Sequence, residues 1–135
     1  MKKYMCTILC VLLVFFSGCS CGGKVSNLKI HDVASRMYSN DDIISAIDTI
    51  KTHFKRSWSG CTLTEIYYAG DDYTKACQKW ADRHNADEVI VLLSSFDVDS
   101  SGGDGSLNPD STYDNWSWIL VRTNGGKWKH VDHGY

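Results

Sequence analysis

A single proline, Pro109, and only 11 glycines in 135 residues exclude collagen-like and Pro/Gly-rich disordered chains. An excess of one charge is also missing. Fourteen basic against 16 acidic side chains leave a net charge of −2, so there is no electrostatic footprint for nucleic acid. No apolar run reaches the roughly 20 residues that a bilayer-spanning helix requires. His-Glu-x-x-His, Cys-x-x-Cys and Gly-x-Ser-x-Gly patterns are absent as well, which removes the usual signatures of zinc hydrolases and nucleophile-elbow enzymes. No cofactor motif is present. What remains, 43% hydrophobic and 22% charged, is the composition of one ordinary globular domain.

Cysteine is the residue type in surplus, with six copies, and its distribution is uneven. Lys2 and Lys3 precede the apolar run Ile8 to Phe16, which has the length of a signal-peptide core and is too short to span a bilayer. Phe16-Ser17-Gly18-Cys19 follows directly. This stretch resembles the lipobox of bacterial lipoprotein precursors, in which small residues admit the peptidase and the cysteine thiol takes a diacylglyceryl group. The resemblance implies a signal peptide over 1–18, acylation of Cys19, and a protein anchored in the lipid bilayer on the extracytoplasmic face of the cell membrane. Two or three acyl chains make such an anchor stable. The alternative is an ordinary secretory signal with Cys19 as a free or bridged thiol. Residues 19–38 are expected to hold the lipidated cysteine, a flexible small-residue tether from Ser20 to Asn27 and an N-terminal segment.

A single domain is expected over 39–135. Ser39 stands three residues before Asp42 as a capping-box pair, and Ile43, Ile47, Ile50, Phe54 and Trp58 recur at helical spacing behind it, predicting a helix over about 40–56. Thr62 to Ala69 is β-branched and aromatic and predicts a strand. Tyr73, Ala76, Cys77, Trp80, Ala81 and His84 then repeat at helical spacing, with Asn85 as the stop. Val89 to Phe96, Trp116 to Arg122 and Lys127 to Asp132 predict three further strands. The last two are joined by Thr123-Asn124-Gly125-Gly126, whose residues supply the positive φ of a tight hairpin. The resulting fold class is α+β, with two main helices packed on an antiparallel sheet of about four strands.

The closing stretch from Trp118 through Gly126-Lys127-Trp128 to Val131-Asp132-His133-Gly134-Tyr135 resembles the last hairpin of nuclear transport factor 2-like (cystatin-like) cone domains. With Gly60 to Tyr68 and the preceding amphipathic helix, the chain from Ser39 to Tyr135 is similar to a family of Gram-positive lipoproteins of unknown function. The resemblance carries no catalytic motif. Some cone-shaped relatives are isomerases or dehydratases, and by that analogy Tyr67, Tyr68, Asp132 and His133 are candidates to line a cavity.

Other constellations are weaker. Cys61 and Cys77 are the only cysteines within the predicted domain, as a candidate disulfide or as two small packed hydrophobes. Asp97, Asp99 and Ser101 occupy positions one, three and five of a calcium-loop-like stretch with Gly102 at six, but the twelfth position is Asn108 instead of Glu. The bland reading is a solvated loop from Asp97 to Asp114. His130 and His133, three apart in a strand, point to opposite faces unless the strand bulges between them. Trp116 and Trp118 share a strand face that Trp128 is expected to oppose, as core, homodimer interface or ligand pocket. The functional expectation is a binding or protein-interaction module for a protein or small molecule, without its own catalysis. The alternative is a small-molecule enzyme with its site in the cone.

Overall fold

The computed structural model describes residues 22–135, so the lysines of the n-region, the apolar run, the lipobox with Cys19, and Cys21 lie outside the described residues. The elements in order are β1 (Lys29–His31), α1 (Asn40–Ser57), β2 (Cys61–Tyr68), α2 (Asp71–Ala76), α3 (Lys79–Arg83), β3 (Glu88–Val98), β4 (Ser111–Arg122) and β5 (Lys129–Gly134). They form an α+β domain around a five-stranded sheet in the order β1-β2-β3-β4-β5. No helix among the described residues is long and apolar enough to cross a membrane.

Helix α1 begins where its capping box places it. The Ser39 hydroxyl accepts the Asp42 N–H at 3.1 Å, and the Asp42 carboxylate accepts the Ser39 N–H at 3.3 Å, which satisfies amide groups that the first helical turn leaves without partners. The stripe Ile43, Ala46, Ile47, Ile50 and Phe54 is buried against one face of the sheet. There it meets Leu63, Ile66, Tyr68, Leu92, Phe96, Trp118 and Leu120 in the main core. Each large side chain removed from water in this way contributes about 1.5–3 kcal/mol. The opposite face carries a smaller cluster of Ala81, Val89, Val91, Ile119 and Val121, covered by α2 and α3.

Five expectations need correction. The sheet has five strands and is mixed, because β1 pairs parallel with β2, Lys29 opposite Glu65 and His31 opposite Tyr67. Three exposed residues, Lys29-Ile30-His31, are too short a run to give a strand signal, and pairing to the β2 edge is what holds them extended.

The second helix is broken into α2 and α3 at Cys77 and Gln78. Of its expected stripe only Ala81 is fully buried, while Tyr73 is 45% exposed, and Thr74, off the stripe, is buried because its hydroxyl accepts the Val91 N–H at 3.3 Å. Holding Thr74 on the sheet and also laying Ala81 on it requires the bend.

The tether is docked from Gly22 onward. Gly23 N–H donates to Phe54 O at 3.1 Å, Lys24 N–H donates to Cys61 O at 2.9 Å, and Leu63 N–H donates to Lys24 O at 2.8 Å. A Cβ on Gly22 would lie 1.7 Å from the Lys55 carbonyl oxygen, so Gly22 is there for close approach to the end of α1.

The fourth correction concerns the loop between β3 and β4. Both strands extend further than their apolar runs, leaving Asp99–Asp110 as the connection instead of Asp97 to Asp114. The turn residues adopt the expected positive φ, Asn124 at 53° and Gly125 at 62°, with the Gly126 N–H donating to Thr123 O at 3.0 Å, but the last strand is Lys129–Gly134 instead of Lys127 to Asp132, so Lys127 and Trp128 belong to the connection and the hairpin is longer than expected.

Candidate functional site

Strands β4 and β5 do not pair in simple register. Trp118 faces His133, Ile119 faces Asp132, and Leu120 faces His130, so Val131 is an extra residue in β5. Trp118 and Leu120 both point to the α1 face, and their partners His133 and His130 therefore do as well. A bulge thus places on one face two histidines that simple strand alternation would separate. His133 Nδ1 lies 3.2 Å from His130 Nε2. Helix α1 brings His53 onto them, with ring centroids 4.4 Å from His130 and 6.4 Å from His133. One ligand nitrogen from each of the three lies within 4.8 Å of the others, and among the described residues no other group of three or more His, Cys, Asp or Glu side chains is so arranged.

Tryptophan rings wall this trio. Trp118 sits 5.3 Å from His133 and 5.5 Å from His130, and Trp58 and Trp116 lie 5.2 and 5.9 Å from His133. Burial among these rings penalises the charged imidazolium. His130 is pushed down to about 4, first by desolvation and then by repulsion from His53 and His133. His53 is lowered by burial and by His133, and His133 by burial against the opposing pull of Asp132. Each shift favours the neutral imidazole, the form whose ring nitrogen can coordinate a metal ion.

Beside the trio opens a cleft of about 290 Å³, walled by His53, Trp58, Trp116, His133 and Cys61 on one side and by the Asp99–Asp110 loop, through Gly103, Asp104, Ser106 and Leu107, on the other. Two buried side-chain nitrogens among the described residues lack a hydrogen-bond partner, His53 Nε2 and Trp116 Nε1, and both residues line this cleft. Buried polar atoms without partners are rare because each costs roughly 1–3 kcal/mol.

The residues singled out from the sequence are distributed unevenly around this site. Trp116 and His133 line the cleft, and Trp118 packs behind it against His130 and His133, fully buried with its indole N–H donating to Ser94 Oγ at 2.7 Å. Trp128 is elsewhere. It precedes β5 and packs 5.5 Å from Tyr38 at the opposite end of α1, donating to Asp42 O at 3.1 Å. Because Trp118 and Trp128 are buried inside the fold, the three tryptophans do not form a shared homodimer face.

Tyr68 is buried far along β2 and donates to Asp71 Oδ1 at 2.9 Å, while Tyr67 turns to the other face against His31. Asp132 opposes Ile119 on the face away from His133. The set Tyr67, Tyr68, Asp132 and His133 is therefore not brought together.

Cys61 and Cys77 are both free thiols. They pack in the clusters on opposite faces of the sheet, which keeps them from pairing. Burial pushes the Cys61 thiol up to about 11 and also raises Cys77, so neither is a ready nucleophile.

Asp97, Asp99 and Ser101 line one open groove, where both carboxylates are already engaged by hydrogen bonds. Asp97 accepts from the Thr112 hydroxyl at 2.7 Å across the ladder, and Asp99 accepts the Ser101 N–H at 2.9 Å inside its own loop. Hydrogen bonds from Ser101 hold Asp99 below the usual carboxylate range.

His53 is the residue missed from sequence, while strand alternation sets His130 apart from His133 and helical spacing gives Trp58 only as part of the apolar stripe of the helix. A signal existed for His53, which stands three residues after Ile50 and seven after Ala46 on the buried stripe of α1. A histidine at a core position of an amphipathic helix needs a partner or a ligand. Compared with known protein families, with curated proteins and with solved structures, the chain finds no match.

Proposed function

We propose that this protein is a lipid-anchored extracytoplasmic binding module whose ligand site is the cleft at the C-terminal end of α1. The observation that carries this reading is that two residues lining a concave, aromatic-rich cleft, His53 and Trp116, each hold a buried nitrogen without a partner, His53 Nε2 and Trp116 Nε1. A closed core has no use for two such atoms. A ligand with an apolar body and a polar group that can pair with them does. Support for a cone of the nuclear transport factor 2-like kind comes from one long helix laid across an antiparallel run, β2 to β5, with its cavity between helix and sheet.

The anchor and the cleft are neighbours in this reading. Gly22 and Gly23 pack on Lys55 and Phe54, the same turn of α1 that presents His53 and Trp58. Only three residue steps separate Cys19 from Gly22, a reach of roughly 10 Å. An acylated Cys19 would hold the cleft end of the domain close to the lipid surface. Binding without chemistry is preferred to catalysis because the one thiol of the cleft, Cys61, is pushed up to about 11 by burial and is no activated nucleophile.

Two experiments test the proposal. Cys19→Ser is expected to release the protein from membranes or leave it as an unprocessed precursor; a variant that is still processed and membrane-bound contradicts the anchor. For the cleft, an apolar fluorescent probe is expected to quench tryptophan emission in the native chain. Trp116→Ala should abolish that response and Tyr67→Ala should leave it intact; equal quenching in both variants contradicts the site.

A further inference from the structure

We infer that His53, His130 and His133 form a binding site for a divalent first-row transition-metal ion, Zn2+ in the first instance. The inference deepens the cleft reading, since His53 and His133 border both, but it stands on the geometry of the trio itself.

Three lines of geometry converge. The His130 Nε2 to His133 Nδ1 separation is 3.2 Å, close to the ~3.3 Å that two nitrogens of a tetrahedral zinc site keep when each is about 2.0–2.1 Å from the metal. The third nitrogen comes from a different element, α1, so the ligands approach from two sides. His53 Nε2 is buried without a partner, which an ion bridging to it would supply.

A simple hydrogen bond between His130 and His133 accounts for one pair and leaves His53 unexplained. An ion accounts for all three. Neutral imidazole suits zinc, copper and nickel, whereas calcium and magnesium need oxygen ligands that the trio lacks. His133 is exposed, giving an ion a path in. Three protein ligands leave the fourth position of a tetrahedral ion open, and the cleft beside His53 and His133 is where an exogenous donor would reach it.

The test uses full-length protein extracted from membranes in detergent, without a polyhistidine tag, titrated with Co2+ as a spectroscopic stand-in and with Zn2+ in competition. Expected are visible d–d bands of a four- or five-coordinate ion that saturate at one metal per chain, without thiolate charge-transfer absorption, and displaced by Zn2+. His53→Gln, His130→Gln and His133→Gln should each weaken binding by at least roughly tenfold, and His84→Gln, outside the trio, should leave it unchanged.

Absence of the bands in folded wild-type protein overturns the proposal. So does a spectrum dominated by thiolate charge transfer that survives the histidine substitutions, because the ion is then held by cysteines. Far-UV circular dichroism of each variant separates loss of a ligand from loss of the fold, and the exposed His133 carries the test if the more buried variants do not fold. Loss of metal binding with probe quenching retained leaves the cleft standing without the ion; loss of both removes the two readings together.

Discussion

The two ends of α1 rest on the same sheet and are built in opposite ways. At the N-terminal end Arg122 reaches from β4 to Asp42 at 2.8 Å and to Glu88 at 2.5 Å, with its guanidinium 4.3 Å from the centre of the Trp128 ring. The Trp128 indole donates to Asp42 O, the Tyr38 hydroxyl donates to Val89 O at 2.6 Å, and the capping box closes the helix. Each of these polar groups has a partner. At the C-terminal end, three clustered histidines and two unpartnered nitrogens lie beside a cleft. The first arrangement fixes the helix to the sheet. The second leaves hydrogen-bonding and ligating capacity unused, which is characteristic of a site where something else binds.

The largest expected effect lies at the clamped end. Arg122→Ala removes the shared partner of two carboxylates and the cover over Trp128, and should lower stability by about 2–3 kcal/mol in chemical denaturation. A loss below half of that would mean that the clamp is ornamental and that the two ends are more alike than they look.

Acid should distinguish the ends next. The three histidines have folded-state values below the ordinary one near 6.5, so the unfolded chain binds protons first. Their effect is absent above about pH 6.5, and stability falls as pH drops from there toward 4, by roughly 1–2 kcal/mol after allowance for solvent exposure. The clamped end responds later. Asp42 is held below the usual carboxylate range chiefly by its hydrogen bond from Arg122, so its contribution is present above about pH 4 and lost as pH falls through its lowered folded value. Melting temperature measured against pH should show both windows. Replacing His130 with Gln should flatten the upper window and leave the lower one in place.

The smallest effect has the opposite sign. His53→Leu deletes a buried nitrogen without a partner at similar volume, and should stabilise the metal-free protein by about 1 kcal/mol. A destabilised His53→Leu variant would show that His53 is already satisfied in the protein, and the contrast between the ends would close.

Much of the clamped end could be read from sequence because its signals are local. Ser39 and Asp42 are three residues apart, and Ile43, Ile47 and Ile50 follow at helical spacing. Asn124-Gly125 encodes its own backbone conformation in the β4–β5 turn. The Arg122 clamp itself could not be read, because Asp42, Glu88 and Arg122 are distant in sequence and meet only in the folded sheet.

The site end was hidden for a sharper reason. Strand alternation puts His130 and His133 on opposite faces, and a bulge at Val131 reverses that with no composition signal of its own. The docking of Gly22 and Gly23 was hidden similarly, since small residues read as a flexible tether until a backbone is found packed against them. Cys61 and Cys77 invited a bridge by composition, and only the sheet between them rules it out.

Zn2+ added to isotope-labelled protein and followed by amide and histidine side-chain NMR tests the contrast most directly. The account predicts perturbations confined to His53 through Ser59 at and just beyond the end of α1, to Trp116 and Trp118 of β4 that wall the trio, and to β5 from His130 to Gly134, with Asp42, Arg122 and Trp128 unmoved. Perturbations at both ends, or none at His53 and His133, would contradict it.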